Sequence, residues 1–495
     1  MFTESPMRDL EAIVRSRTPL IAMDSIEEPQ IVRMARQIAQ RQQLRAFRWT
    51  VTDGLQALDP ADQPSQTISK SQDVLNFIKQ SSSRNSLFVL LDFHHYLQDP
   101  VHVRHLKDIA LTCSKQYITV MLVGFSLKMP EELLPFTALF RLPMPSADEV
   151  RGIVFDVAGE WGAEHGQRDV HTTNKVIDLL VRNLLGLSST DVRRLALKAI
   201  NDDGVISESE MPDVMRAKYE LLGRDGVLSF EYETAKFSEI GGMQRLRQWL
   251  EVRKEFFLEE TDGTLDPPRG VLLLGVQGCG KSLVAKAAAA IFQAPLLRLD
   301  FGVLYNKYYG ETERNLRKAF ETAEVMSPCV LWMDEIEKGV AVQNDDDGLS
   351  RRILGTFLTW MSEHKRPVFI VATANDIMRL PPELVRKGRF DEIFFVDLPS
   401  TQNRRDILLI HLRKRALDPA RFDLDAIVKA TEGFSGSEIE QAIVSAMYTA
   451  HAKREELTQD DLLSEIRQTR PLSVVMSEKV QEVRAWAATR TVPCD

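Results

Sequence analysis

Val271 to Ala290 reads VLLLGVQGCGKSLVAKAAAA, and the fold is decided in this stretch. The opening VLLLG is short, apolar and closed by glycine, the pattern of a strand buried on both faces. The closing KSLVAKAAAA is built from strong helix formers. Between them Gly275 to Ser282 spells G-x-x-x-x-G-K-S. Glycines at those positions allow a tight turn, and successive N–H groups at a helix N-terminus can cradle phosphates. Gly275, Gln277, Gly278, Cys279, Gly280, Lys281, Ser282 and Leu283 are therefore the expected contacts of a nucleoside triphosphate. Lys281 is expected on the β and γ phosphates and Ser282 on Mg²⁺. Cys279 could also be read as a reactive thiol, because helix N-termini lower thiol pKa values; a tolerated small residue is the simpler expectation.

Further along, the apolar run CVLWM ends in Asp334-Glu335. Acids at strand ends are common on any surface, but behind a phosphate loop the pair gains meaning. Asp334 is expected to hold Mg²⁺ and Glu335 to orient and deprotonate the attacking water, since phosphoryl transfer needs positioning and charge stabilisation. Strands are expected at 271–275, 296–300, 329–334, 368–374 and 393–396, with helices between most of them, which makes an α/β fold with a parallel sheet. The first half carries a weaker echo of the same order at 19–23, 87–92 and 117–123. MPEEL at 129–133 answers LPPEL at 380–384, and LGLSSTDV at 185–192 resembles EGFSGSEI at 432–439. The expectation is a degenerate tandem duplication.

The 495 residues allow about three folding units, and the net charge of −9 argues against a protein that coats nucleic acid. Cys113, Cys279, Cys329 and Cys494 form neither a C-x-x-C pair nor a disulfide framework, which fits a reducing compartment. The acidic N-terminus and the lack of a run of ~18 apolar residues predict neither export nor a membrane span.

From Phe237 on, the chain resembles the AAA clade of the AAA-plus superfamily. The likeness rests on the phosphate loop, the Asp334-Glu335 pair, FSEIGG at 237–242, VATAND at 371–376 and LVRKGRFD at 384–391. It implies an ATPase. Ile240 and Gly241 would contact adenine, as would Ile407 and His411 of the first lid helix, with Gly436 and Ser437 from GFSGSEI. His411 could otherwise be a plain buried histidine. Asn375 would be the sensor of the γ-phosphate or attacking water. Arg386 and Arg389 would be arginine fingers entering a neighbouring subunit's site, which implies a homo-oligomeric ring, a hexamer. Tyr308, in NKYYGE, would be a pore aromatic gripping a protein client; mere packing is its alternative. NDIM and PPEL depart from the family's usual N-R-P-D and D-P-A-L and weaken any transfer of substrate. A narrower resemblance is to AAA ATPases of bacteria and of chloroplast hypothetical reading frames. Location would be cytoplasmic, or the organelle stroma if plastid-encoded.

The expected organisation is a degenerate AAA-like module without phosphate loop at 1–200, a linker at 201–236, a large ATPase subdomain at 237–398, a helical lid at 399–470, and a C-terminal helix with a frayed end at 471–495, to which no chemistry is assigned. In the first module Asp24-Ser-Ile-Glu-Glu-Pro29 stands where a phosphate loop belongs. Its carboxylates would repel a triphosphate. His94, His95, His102 and His105 invite a metal reading, but without companion cysteines a solvated or packed helix is favoured. The expected function is ATP hydrolysis coupled to remodelling or translocation of a protein partner; the alternative is a nucleotide-controlled scaffold without threading activity.

Overall fold

The computed structural model describes residues 4–59, 68–80, 85–166, 168–200, 204–222, 227–231, 239–258, 266–305, 311–340 and 347–495. The chain divides into two compact units, Met1–Glu208 and Ser209–Asp495.

The first unit is built on strands β1 (Leu20–Asp24), β2 (Arg45–Thr50), β3 (Gly54–Ala57), β4 (Ser86–Leu91), β5 (Ile118–Gly124) and β6 (Thr137–Phe140). Their order across the sheet is β3-β2-β4-β5-β1-β6, parallel throughout except for β3 against β2. SLFVLL and ITVMLVG are buried along their whole length, as strands with helices on both faces must be. Alternate residues feed two cores: Phe88, Leu90, Val120 and Leu122 on one face, Leu87, Val89, Met121 and Val123 on the other. Three helices follow β6, at Ala147–Glu164, Asn174–Leu184 and Ser189–Ile200.

The second unit uses β7 (Leu228–Glu231), β8 (Gly270–Gly275), β9 (Leu296–Leu299), β10 (Cys329–Met333), β11 (Val368–Ala374), β12 (Glu392–Val396) and β13 (Val492–Pro493) in the order β13-β12-β8-β11-β10-β9-β7. Set the antiparallel edge strands aside, along with β13, and count the rest along the chain. Both units then read fifth, first, fourth, third, second. In each, an antiparallel strand, β3 or β7, lies beyond the second. The echo in the sequence is thus a repeated topology, and the first unit is an AAA-like α/β region.

Helices Thr401–Lys414, Leu424–Ala430, Gly436–Lys453 and Gln459–Gln468 form a lid with its own core around Leu408, Leu412, Ile427, Ile443 and Leu462. Each begins on a side-chain cap, from Ser400, Asp423, Ser435 and Thr458, which satisfies N–H groups that a helix start leaves open.

Two stretches differ from the sequence reading. Part of the expected linker is structured and belongs to the second unit: Met215 of helix Met211–Leu222 and Leu228 of β7 enter its main core. The expected frayed end is also ordered. After helix Ser477–Ala487, β13 adds to the sheet beside β12, and Cys494 is buried with its carbonyl accepting N–H bonds from Arg245 and Leu246 at 3.0 and 3.2 Å. Periodicity could not reveal this, because a two-residue strand carries no pattern.

Candidate active site

The turn after β8 and the start of helix Lys281–Phe292 carry the phosphate loop. Gly278 has φ 77°, and a Cβ there would lie 2.2 Å from Ser437 Oγ, so conformation and space both require glycine. Its carbonyl accepts the Ser437 N–H at 3.0 Å, which ties the loop to the lid. Lys281 is buried, and its Nζ donates to the Gly275 and Val276 carbonyls at 2.9 and 2.8 Å. Burial lowers its pKa to about 8, against the opposing pull of Glu337, Asp334 and Glu335.

β10 and β11 bring the remaining groups to the same edge of the sheet. Asp334 Oδ1 accepts from Ser282 Oγ at 3.3 Å and from Thr373 Oγ1 at 2.6 Å. Thr373 Oγ1 in turn accepts the Glu335 N–H at 3.0 Å, fixing a residue whose φ is 49°. Asn375 Nδ2 donates to Glu335 Oε1 at 2.9 Å, and Lys338 pairs with the other oxygen of that carboxylate. Behind them Glu337 is buried: Oε1 accepts the Asn375 N–H at 3.0 Å, while Oε2 has no partner. Desolvation raises the Glu337 pKa. The structure thus links Ser282, Asp334, Glu335 and Asn375 through hydrogen bonds, with Lys281 held on its own loop within reach of their charge and with Thr373, Glu337 and Lys338 as members the sequence reading missed.

A cavity of about 190 Å³ beside the loop is lined by Gly241, Cys279, Ile407, Gly436, Asn403 and Asp495, among others. A Cβ on Gly241 would lie 2.6 Å from Ile407 Cγ1, so the wall is closed by side-chain contact. Ile240 is buried in the core beneath, and Ser437 stands exposed at the lid helix start. Leu283 is exposed, its backbone N–H donating to the Gly280 carbonyl at 3.0 Å. Gln277 lines a separate small cavity with Asn375 and the C-terminal residues Leu472, Met476, Lys479, Val480 and Val483. His411 lies outside that lining, with Nδ1 3.4 Å from Glu440 and 3.3 Å from Arg415; burial lowers its pKa. Burial pushes the Cys279 thiol up to about 12, so it stays protonated and the reactive-thiol reading falls away.

The stretch assigned no chemistry therefore reaches both cavities. Asp495 accepts the Met243 N–H, and Asn403 Nδ2 donates to it at 2.7 Å; Lys479 Nζ pairs with Asp376 at 3.0 Å. Arg386 is exposed, and Arg389 donates to the Leu358 carbonyl at 2.9 Å and to Ser362. Among the described residues, neither arginine bonds to the carboxylates of this site. Tyr308 lies outside the described residues.

The comparisons agree with this geometry. Residues 271–398 match the model of the ATPase family associated with various cellular activities, and 421–464 that of the AAA-plus lid domain. Residues 6–142 match the N-terminal domain of SpoVK-like AAA ATPases, and 148–225 their second domain. An AAA domain-containing protein, ycf46, of Guillardia theta is 34% identical over 97% of this chain and 95% of its own length. The chain belongs to the AAA ATPases of the ycf46 type. The ycf46 protein of Pyropia yezoensis is 33% identical over 97% of both chains. A proteasome-activating nucleotidase of Aeropyrum pernix is 33% identical over 59% of this chain and 73% of its own. The AAA ATPase is thus an ATP-hydrolysing P-loop enzyme, and among its described residues no helix is long and apolar enough to cross a membrane.

Proposed function

We propose that this AAA ATPase works as a homo-oligomeric ring, a hexamer, that spends ATP on remodelling a protein partner. The observation that supports it is the division of labour in one chain. Glu335 is held by Asn375 and Lys338 beside the linked Ser282 and Asp334, whereas among the described residues Arg386 is exposed and Arg389 bonds to Leu358 and Ser362 instead. A site complete in base and sensor, with its arginines turned to other work, fits hydrolysis between neighbouring subunits.

In this reading Glu335 takes the proton of the attacking water, and Asn375 fixes both the carboxylate and the water. Lys281 leaves the Gly275 and Val276 carbonyls for the β and γ phosphates, and Gly241, Ile407 and Gly436 wall the adenine. Ser282 Oγ and Asp334 Oδ1 converge as hard oxygen donors, the set that suits Mg²⁺, which would neutralise phosphate charge there. Arg386 and Arg389 would meet the γ-phosphate of the next subunit. Tyr308 would grip the client. The similarity to a proteasome-activating nucleotidase favours a protein client over nucleic acid.

The test is steady-state ATP hydrolysis and particle mass for wild type and Glu335→Gln. Removing a general base should lower turnover by about 10² to 10⁴-fold while ATP binding persists and rings accumulate. A wild type that hydrolyses ATP only as a monomer would sink the ring reading.

A further inference from the structure

The four histidines that the sequence places in one stretch part company in the structure. His102 is satisfied, with Nδ1 2.9 Å from Asp99 Oδ2 and Nε2 2.9 Å from Ser71 Oγ. His94 and His95 instead belong to the single turn Phe93–Tyr96 that follows β4. Phe93 sets that turn: it is fully buried, edge-on to Trp49 at 5.5 Å. With Phe93 pinned inward, Asp92, His94 and His95 gather at the edge where β4, β5 and β1 end. One ligating atom from each lies within 4.8 Å of the others, and the two imidazoles are 4.0 Å apart.

The turn is made to measure for His94. Its ring lies over Gly124, the last residue of β5, where a Cβ would come 2.2 Å from Nδ1. Nδ1 is buried and has no hydrogen-bond partner; Asp92 Oδ1 is 3.9 Å away. A buried nitrogen left without a partner is an unmet cost that a bound ion would remove. Asp24, at the end of β1, adds negative charge that acts on His94. Its own Oδ1 accepts the Ser126 N–H at 2.8 Å, so it stands by as a charged neighbour.

We propose that Asp92, His94 and His95 bind one divalent transition-metal ion of the Zn²⁺ and Co²⁺ class. Two imidazoles and a carboxylate suit such ions, whereas Mg²⁺ takes oxygen donors almost exclusively. Three protein ligands leave at least one coordination position to water or to a further group. Ligand bonds of about 2.0–2.2 Å put the donor atoms roughly 3.3 Å apart, so the site must contract around the ion. Asp92 and His95 are both exposed and free to swing toward the fixed His94. This site lies in the unit without a phosphate loop and does not rest on the ring reading.

The experiment uses the full chain, stripped with chelator and kept in excess Mg²⁺ so that the ATP site takes no part. Co²⁺ is titrated by its visible absorbance, and bound Zn²⁺ is counted by equilibrium dialysis. Wild type should take one ion per chain. His95→Gln, a change at an exposed side chain, and His94→Ala should each weaken binding at least 100-fold, with ATP hydrolysis unchanged. His102→Ala should bind as wild type does. Wild type that takes up no Co²⁺ or Zn²⁺, or a His95→Gln variant that binds as tightly as wild type, overturns the proposal.

Discussion

At the scale of single residues, Lys281 shows what burial does to the chemistry of the site. Without phosphates it solvates itself on two carbonyls, and its pKa falls to about 8. A triphosphate raises that pKa again, so binding takes up a proton wherever the free lysine is neutral. ATP affinity should therefore be full below about pH 8 and fall as pH rises through it, up to tenfold per pH unit. Titration at pH 7, 8 and 9 in buffers of different ionisation enthalpy checks both the slope and the proton uptake. Lys281, Ser282, Asp334 and Glu335 were readable in advance because backbone geometry fixes their spacing along one strand-loop-helix and one strand end. Thr373 and Glu337 were not. Their parts depend on β11 lying beside β10, a pairing that no local pattern states.

Single elements explain why only one unit carries the nucleotide loop. In the second unit the lid helix Gly436–Lys453 touches the loop through the Ser437 N–H on the Gly278 carbonyl. In the first, the counterpart helix Ser189–Ile200 is held by Glu27: its carboxylate is buried and accepts from Thr190 N at 3.0 Å and Thr190 Oγ1 at 3.3 Å. A carboxylate built into the chain sits at a helix N-terminus, where anions are favoured. Glu27→Gln should cost about 1–2 kcal/mol locally, and amide exchange in Ser189–Ile200 should speed by roughly 5–30-fold. Unchanged exchange would show that other contacts hold that helix. β13 makes a matching case in the second unit. Deleting residues 492–495 uncovers the β12 edge and removes the wall that Asp495 gives to the cavity beside the phosphate loop. The expected loss is about 2–3 kcal/mol, a fall in thermal midpoint of roughly 4–10 °C, with weaker ATP binding. Differential scanning and a nucleotide titration read the two effects separately. Most strands of the second unit could be read from their apolar runs. β2, β3 and β7 could not, because RAFRWT, GLQA and LSFE mix polar and apolar residues as loops also do.

For the whole molecule, the repeated strand order makes two sheets of one plan with different fates. One keeps a phosphate loop; the other has acids in that place. If Arg386 and Arg389 act across subunits, Arg386→Ala should lose about 10³-fold or more in turnover, beside the loss of about 10² to 10⁴-fold expected for Glu335→Gln. Mixing the two inactive variants should then restore part of the activity, since some interfaces pair an intact base with an intact arginine. No recovery on mixing, with mixed particles verified by mass, would mean that each chain completes its own site. The repeat was legible as an echo of short motifs, but strand order came only from the folded sheets. One more consequence concerns synthesis. The cavity beside the phosphate loop is walled by Cys494 and Asp495, more than two hundred residues after that loop is made. On a ribosome adding about 5–20 residues per second, the phosphate loop thus waits ten seconds or longer for its last wall. A nascent chain stalled short of residue 492 should bind ATP poorly however well its earlier strands have folded.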